Sequence, residues 1–371
     1  MQEFKYEQLI QQIQEELSSG AWPPGSRIPS ERDLAARYGV SRITAQKAVD
    51  EMIRVEDLIR YPGKRGTFVH PAGEDQGPQN AALIGVAIDD VTDRFGSTLL
   101  RGIEDYLWKR RMHTIICNGD RDFRKVEDYF TSLLEHNIDG VIFSPVIDAE
   151  DSVEKNKRII RLLEERSVPY VLIDRYVPGV DSNFVSSSHL ESTAELTTAL
   201  LEQGHRKLLL LKGLSCSSME DREEGYRNAI TRFGDPRIKP WVIQLNDNLL
   251  FRSMDSRELE KLGEIPDLEE FTGVIALNNR LLKGFVTFMN SRHSGWRRKI
   301  TIGLHDALSL EIPGREEIYQ VIQPEYDMGK EAARLLAQVL EEKSSLKRRV
   351  ILQSRLVPGT TGRRDSAPRP S

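Results

Sequence analysis

Four short apolar runs, LIGVAI at 83–88, HTIICN at 113–118, DGVIFSP at 139–145 and PYVLID at 169–174, are separated by stretches of helical length near 96–111, 123–136 and 151–166. Runs this short, with little polar alternation, suit strands covered on both faces, and the intervening helices supply the crossovers that parallel strands require. The rhythm then restarts: a helix near 190–203, KLLLLKG at 207–213, a helix near 221–232, WVIQLN at 241–246, a helix near 256–263, GVIALN at 273–278, a helix near 280–292 and KITIGL at 299–304. Two successive units of this kind predict an α/β fold of two lobes over 82–360. A ligand crevice is expected at the carboxyl ends of their strands.

A separate module precedes them. PAGEDQGPQNA (71–81) holds two prolines and two glycines without an apolar period, the composition of a linker. Upstream, Tyr6, Leu9, Ile10, Ile13 and Leu17 mark one helical face that ends at Gly20. SERDLAARY (30–38) opens with a capping serine, Gly39 and Val40 make a turn, and Ser41 caps a further helix through Ile53. In that helix Ala45, Ala48, Val49 and Met52 form the inward stripe and leave Arg42, Ile43, Gln46 and Lys47 outside. LIRYPGKRGTFV (58–69) reads as strand, tight basic turn and strand. Gly63 and Gly66 permit close backbone approach there, and Lys64 and Arg65 can reach phosphate or the minor groove.

Two short helices joined by a glycine-containing turn set the second helix into a DNA major groove. Its N-terminal end favours phosphate, while Arg and Gln can pair with guanine and adenine edges. The overall charge of −5 argues against a surface that binds nucleic acid everywhere. The basic residues are nevertheless gathered: Arg27, Arg32, Arg37, Arg42 and Lys47 face only Glu31 and Asp33, and no acid occurs from 58 to 70. Arg37 is open between a contact and a solvated helix face, and Glu31 reads as a partner of the helix dipole.

Cys117 and Cys216 lack metal-ligand spacing and read as bystanders, so neither a metal nor a cofactor is expected. There is no apolar run of about 18 residues, and the first residues are charged and amphipathic, from which a cytoplasmic protein is expected. The tail 361–371 is expected to be disordered.

The run PSERDLAARYGVSRITAQKAVDEM…LIRYPGKRGTFV resembles the winged helix-turn-helix of the GntR family of bacterial regulators over essentially all of 4–69, within an expected head domain of 1–70. By that resemblance Arg32, Arg42 and Thr44 fall on operator-contacting positions and Gly66 on the wing-tip glycine. With Gln46, Lys47, Lys64 and Arg65 they form the expected DNA-binding set. Asp57 departs from the pattern, standing where that family usually has a glycine before the wing.

Beyond the linker, IGVAIDDVTDRFGSTLLRGIEDYL, VPYVLIDR, LLEQGHRKLLLLKG, DREEGYRNAI, GVIALNNRLLKG and VIQPEYDMGKEAARLL follow in the order of the LacI/GalR effector domain, which is periplasmic-binding-protein-like. The combination is similar to the arabinose-repressor class of sugar-responsive regulators. Sugars are held by hydrogen bonds from Asp, Asn and Arg and by an aromatic face. Asp89, Asp90 and Phe95 follow the first strand, Asn118 ends the second, Asp174 and Arg175 end the fourth, and Asn246 and Asn278 end strands of the second lobe. Asp306 follows a later strand and Gln323 lies on a strand returning between lobes. Arg222 falls on the family's effector-clamping arginine. For Asp174 and Arg175 the plain alternative is pairing with each other, for Asn118 and Asn278 a turn, and for Phe95 the core.

Two departures touch positions that commonly hold effector hydroxyls. Ser188 and His189 replace Asp-Asn after the lobe crossover, and Leu304, His305 and Asp306 replace Phe-Asp-Asp. Either the ligand is not a common neutral hexose, or Asp306 has taken over.

The resemblance implies a homodimeric transcription regulator, a repressor of carbohydrate-use genes whose operator affinity follows a small sugar-like effector. The alternative of an α/β enzyme with an accessory head finds no G-x-S-x-G, P-loop, H-E-x-x-H or G-x-G-x-x-G after LIGVAI. The loop GLSCSSME (213–220) offers Ser and Cys without a positioned base. A transport-type sugar receptor is disfavoured by the attached head and the absent export signal.

Overall fold

The computed structural model describes residues 5–54, 58–60, 66–69, 82–148, 150–292, 295–296, 299–309, 318–342 and 346–359, so the linker 71–81, the tail 361–371 and Asp57 lie outside the described residues. The chain divides into two units, Met1–Ala81 and Ala82–Ser371.

In the first unit α1 (Lys5–Ser18), α2 (Glu31–Tyr38) and α3 (Arg42–Arg54) precede a short antiparallel pair, β1 (Leu58–Ile59) with β2 (Phe68–Val69). Ser30 starts α2 with a reciprocal capping box to Asp33, and Gly39 ends it at φ 66°. Ser41 Oγ accepts from the Thr44 amide at 3.0 Å and so caps α3. The inward stripe Ala45, Ala48, Val49 and Met52 is buried with Leu9, Ile13, Leu34 and Leu58, as the helical spacing requires.

The second unit holds two six-stranded sheets. The first contains β3 (Leu83–Ile88), β4 (His113–Asn118), β5 (Gly140–Phe143), β6 (Tyr170–Ile173), β7 (Asn183–Ser187) and β13 (Arg349–Leu352) in the order β13-β7-β6-β5-β3-β4. The second contains β8 (Leu208–Lys212), β9 (Trp241–Gln244), β10 (Gly273–Ala276), β11 (Thr301–Leu304), β12 (Tyr319–Ile322) and β14 (Arg355–Val357) in the order β14-β12-β11-β10-β8-β9. Every pairing is parallel except β12 with β14.

The helices α4 (Arg94–Lys109), α5 (Phe123–Glu135), α6 (Ser152–Glu165), α7 (His189–Glu202), α8 (Ser217–Phe233), α9 (Asp247–Ser253), α10 (Ser256–Glu260), α11 (Asn279–Arg292) and α12 (Glu325–Glu342) supply the connections. On β3, Ile84, Val86 and Ile88 pack with Leu99 of α4 and Met328 of α12, whereas Ala87 joins Val126 and Phe130 of α5 on the other face. Both faces are thus covered, which is why these runs lack polar alternation.

The chain passes between sheets after β7, after β12 and after β13. The middle passage sends α12 back against α4, where Gly102 and Gly329 are required: a Cβ at either would run into the backbone carbonyl of Tyr326 or Leu99 on the facing helix.

Several expected elements shift. The strands β4 and β9 are not buried on both faces, because they are sheet edges, and Ile116 and Trp241 are exposed on them. The helix expected from 221 begins at Ser217, so the second half of GLSCSSME is its first turn and not a loop. The stretch expected as one helix near 256–263 is α10 followed by a 3-10 turn. Before it lies α9, a helix the sequence pattern did not reveal.

Candidate functional sites

The exposed side of α3 begins in its first turn. Arg42, Ile43, Gln46 and Lys47 are exposed there, and Arg32 is exposed on α2. Thr44 is half-buried and its hydroxyl lies 2.7 Å from Ser41 Oγ, so it takes part in the cap. Arg37 pairs with Glu16 and lies over the Trp22 ring at 5.8 Å, which makes it a structural residue of the head. Glu31 has a firmer task than meeting the helix dipole. Arg60 reaches it at 2.7 Å and Asp50 at 2.9 Å, tying α2 and α3 to the strand pair. Gly66 takes φ 117°, and a Cβ there would collide with the Arg27 guanidinium laid against it. Lys64 and Arg65 lie outside the described residues.

In the second unit a cavity of about 70 Å³ forms where the carboxyl ends of the two sheets face each other. Of the expected residues, Asp90, Phe95, Asp174, Arg175, Arg222, Asn278, Asp306 and Gln323 line it. Asn118 and Asn246 do not. Asn118 accepts from the Val91 amide and donates to Asp120, holding a loop, while Asn246 caps α9. Both sit at strand ends, but local backbone groups claim their side chains before a ligand could.

Asp89, which follows the first strand with Asp90, lines the cavity as well, and so do Asp93, Arg121 and Arg280, which strand ends alone do not single out. Arg175 forms the centre of the first lobe's side. Its Nε donates to Asp174 Oδ2 at 2.9 Å, and one terminal nitrogen donates to Asp89 Oδ2 at 2.7 Å and to the Pro145 carbonyl at 2.6 Å. Asp174 and Arg175 therefore do pair, and both still border the cavity. Burial opposes the charge on Asp174, yet the Arg175 guanidinium beside it holds the carboxyl well below its ordinary range. Asp174 takes φ 69°, and Asp120 and Arg121 take φ 49° and 54°, uncommon left-handed positions for such residues.

Two charged bridges join the lobes. Arg121, after β4, donates to Asp247 Oδ2 at 3.0 Å, and Arg280, at the start of α11, reaches Asp90 at 2.9 Å and Asp93 at 3.0 Å. Asp247 is further held by the Leu214 amide and the Asn278 side chain. Three buried atoms at the cavity lack a hydrogen-bond partner: Asp89 Oδ1, Asp174 Oδ1 and Arg121 Nε. Buried polar atoms are almost always satisfied, so these three are exceptions, although His189 Nε2 stands 3.6 Å from Asp174 Oδ1.

The departures at 188–189 and 304–306 meet around Arg222. Its Nε donates to His189 Nδ1 at 3.2 Å and a terminal nitrogen donates to the Leu277 carbonyl at 2.6 Å. His189 and His305 stand 5.7 Å apart, ring centre to ring centre. Burial, and then the Arg222 charge, hold both imidazoles below their ordinary range and so neutral at pH 7. Burial pushes Asp306 up to about 6 against the pull of Arg222, and Gln323 donates to it at 2.9 Å. Among the described residues no group of His, Cys, Asp or Glu is arranged to hold a metal.

Residues 5–69 match the bacterial regulatory proteins of the gntR family, and residues 81–312 match the periplasmic binding proteins and sugar binding domain of the LacI family. The chain is 24% identical over 315 residues to a probable HTH-type transcriptional regulator EndR of Paenibacillus polymyxa, a match covering 84% of this chain and 86% of that protein. It is 22% identical over 348 residues to an arabinose metabolism transcriptional repressor of Halalkalibacterium halodurans, covering 92% and 90%. The fold is shared with a LacI family transcriptional regulator from Enterococcus faecium with bound ribose, at TM-score 0.59 and 23% identity, over 74% of this chain and 96% of that one.

Proposed function

This chain belongs to the family of periplasmic binding proteins and LacI-type sugar-binding domains, carries a gntR-type head and is a DNA-binding transcriptional regulator of the sugar-responsive kind, and we propose that the cavity between its lobes is the effector site. The observation that carries the reading is the convergence of Asp90, Asp174, Arg175, Arg222, Asp306 and Gln323 on one cavity, three of whose lining residues also keep a buried atom without a hydrogen bond, Asp89 Oδ1, Asp174 Oδ1 and Arg121 Nε. Two acceptors and one donor suit a hydroxyl-rich molecule. The lining charge suits an uncharged one, because it is nearly balanced: Asp89, Asp90, Asp93, Asp174 and Asp306 stand against Arg121, Arg175, Arg222 and Arg280. A cavity of about 70 Å³ holds roughly two waters' worth of liquid volume. A sugar ring therefore enters with the bridges Arg121–Asp247 and Arg280–Asp90 rearranged.

On this reading the protein acts in the cytoplasm as a homodimeric repressor of carbohydrate-use genes. Arg32, Arg42, Thr44, Gln46, Lys47, Lys64, Arg65 and Gly66 engage the operator, and the effector changes operator affinity by binding one conformation of the lobes better than another. A thermal-shift screen of mono- and disaccharides and their phosphates identifies the effector, because a ligand of the folded state raises apparent stability. Gel shifts with the hit then test the coupling. If every sugar that binds leaves operator binding unchanged, the proposal fails.

A further inference from the structure

Ile43 is 74% exposed, more than any other large hydrophobic side chain among the described residues, and it lies in the first turn of α3. Packing does not account for it, since the inward stripe of that helix is filled by Ala45, Ala48, Val49 and Met52. Helix propensity does not account for it either, because a β-branched side chain loses rotamer freedom in a helix. At 100° per residue, Gln46 and Lys47 flank it one turn on, so the isoleucine stands in the middle of the polar face.

In the major groove the C5-methyl of thymine is the apolar feature that distinguishes T·A from the other pairs, and aliphatic contact reads it. Arginine and glutamine read purine edges through their polar ends, whereas isoleucine offers only apolar surface. Thr44, the other methyl-bearing residue of this turn, is half-buried and presents less apolar surface than Ile43. We propose that Ile43 is a specificity-determining residue of this regulator, reading a thymine methyl in each operator half-site. The inference rests on α3 being the reading helix.

The test begins with operators selected by the full-length wild-type protein from random duplexes. Each thymine in turn is replaced by deoxyuridine, which removes only the methyl, and affinities of wild type and Ile43→Ala are compared. For the wild type, one position per half-site loses about fourfold in affinity, the equivalent of roughly 0.8 kcal/mol for one apolar carbon returned to water. For Ile43→Ala the same replacement costs nothing further. Ile43→Val, which keeps an aliphatic branch, retains part of the effect. The variants fold, because the side chain has no packing to lose, and a melting curve checks this.

Equal uracil sensitivity in wild type and Ile43→Ala at every thymine overturns the inference, and so does a selected operator with no methyl-sensitive position. Arg42→Ala separates this failure from a failure of its premise. If that variant keeps full operator affinity, α3 is not the reading helix and both statements fall.

Discussion

Arg121→Ala tests whether the buried bridge to Asp247 holds the two lobes together. Arg121 and Asp247 are 4% and 0% exposed, so solvent screening gives little relief. Removing one member of such a pair generally costs about 3–5 kcal/mol, since a charge is left buried alone. Here Asp247 would keep the Leu214 amide and the Asn278 side chain as donors, which places the expected loss at the lower end, about 3 kcal/mol, or roughly 5 °C in Tm for the larger unit Ala82–Ser371.

The pH dependence gives the sharper reading. In the wild type, Arg121 overcomes the effect of burial and holds the Asp247 carboxyl below its ordinary value. That contribution is fully present above the unfolded value near 4 and is lost as pH falls through the folded one. In Arg121→Ala burial is opposed only by the remaining donors and the more distant Arg280 charge, so the carboxyl rises, and its penalty is greatest at neutral pH and shrinks on acidification. Denaturation at pH 7.5 and pH 5 should therefore show a gap that narrows at the lower pH. Replacing both residues with apolar ones, Arg121→Met with Asp247→Leu, should recover most of the stability. A loss below about 1 kcal/mol, or one equal at the two pH values, would refute the assignment of Asp247 as a charge neutralised across the cleft.

Other measurements bear on the cleft and the head. Arg222→Ala should abolish the effector's thermal shift while operator binding persists; a surviving shift would move the effector elsewhere. Asp306 is raised to about 6 by burial, so its charged form is disfavoured in the folded state and stability is regained as pH falls through that value. The wild-type melting temperature should accordingly rise relative to Asp306→Asn between pH 7 and pH 5, and parallel curves would remove the carboxylate from the buried set. Phosphorylated sugars should bind at least tenfold more weakly than the parent sugar, measured by calorimetry, because three of the four lining arginines are already paired with carboxylates and the added charge would lack a partner. Arg42→Ala should weaken operator binding and reduce the slope of log affinity against log salt by about 1 if it contacts phosphate, or change sequence preference instead if it reads a base.

The head was legible almost residue by residue. Ser30, Gly39 and Ser41 act through their immediate neighbours, and the stripe Ala45, Ala48, Val49, Met52 follows from helical periodicity alone. The short apolar runs were legible as strands for a similar reason. In the cleft, position at a strand end was a good guide for Asp90, Asp174, Asp306 and Gln323 but misled at Asn118 and Asn246, whose side chains serve the turns they sit in. Arg121 and Arg280 were missed because what defines them lies far along the chain: Asp247 is 126 positions from Arg121, and Asp90 is 190 from Arg280.

By itself the sequence determined where most helices and the central strands form, that those central strands are buried and parallel, and that a basic helix-turn-helix precedes a two-lobed α/β unit. These depend on local caps, turns and periodic apolar positions, which a linear text carries intact. The exposure of the edge strands β4 and β9, the antiparallel β14 and the short helix α9 were not legible in it. Only the tertiary structure decided which charges neutralise one another across the cleft, that Arg37 and Glu31 serve the head's framework, and that His189 and His305 meet beside Arg222. Those outcomes depend on distances between groups far apart in the chain. At such sites burial and partner together set the energy, and neither is written in the residues one by one.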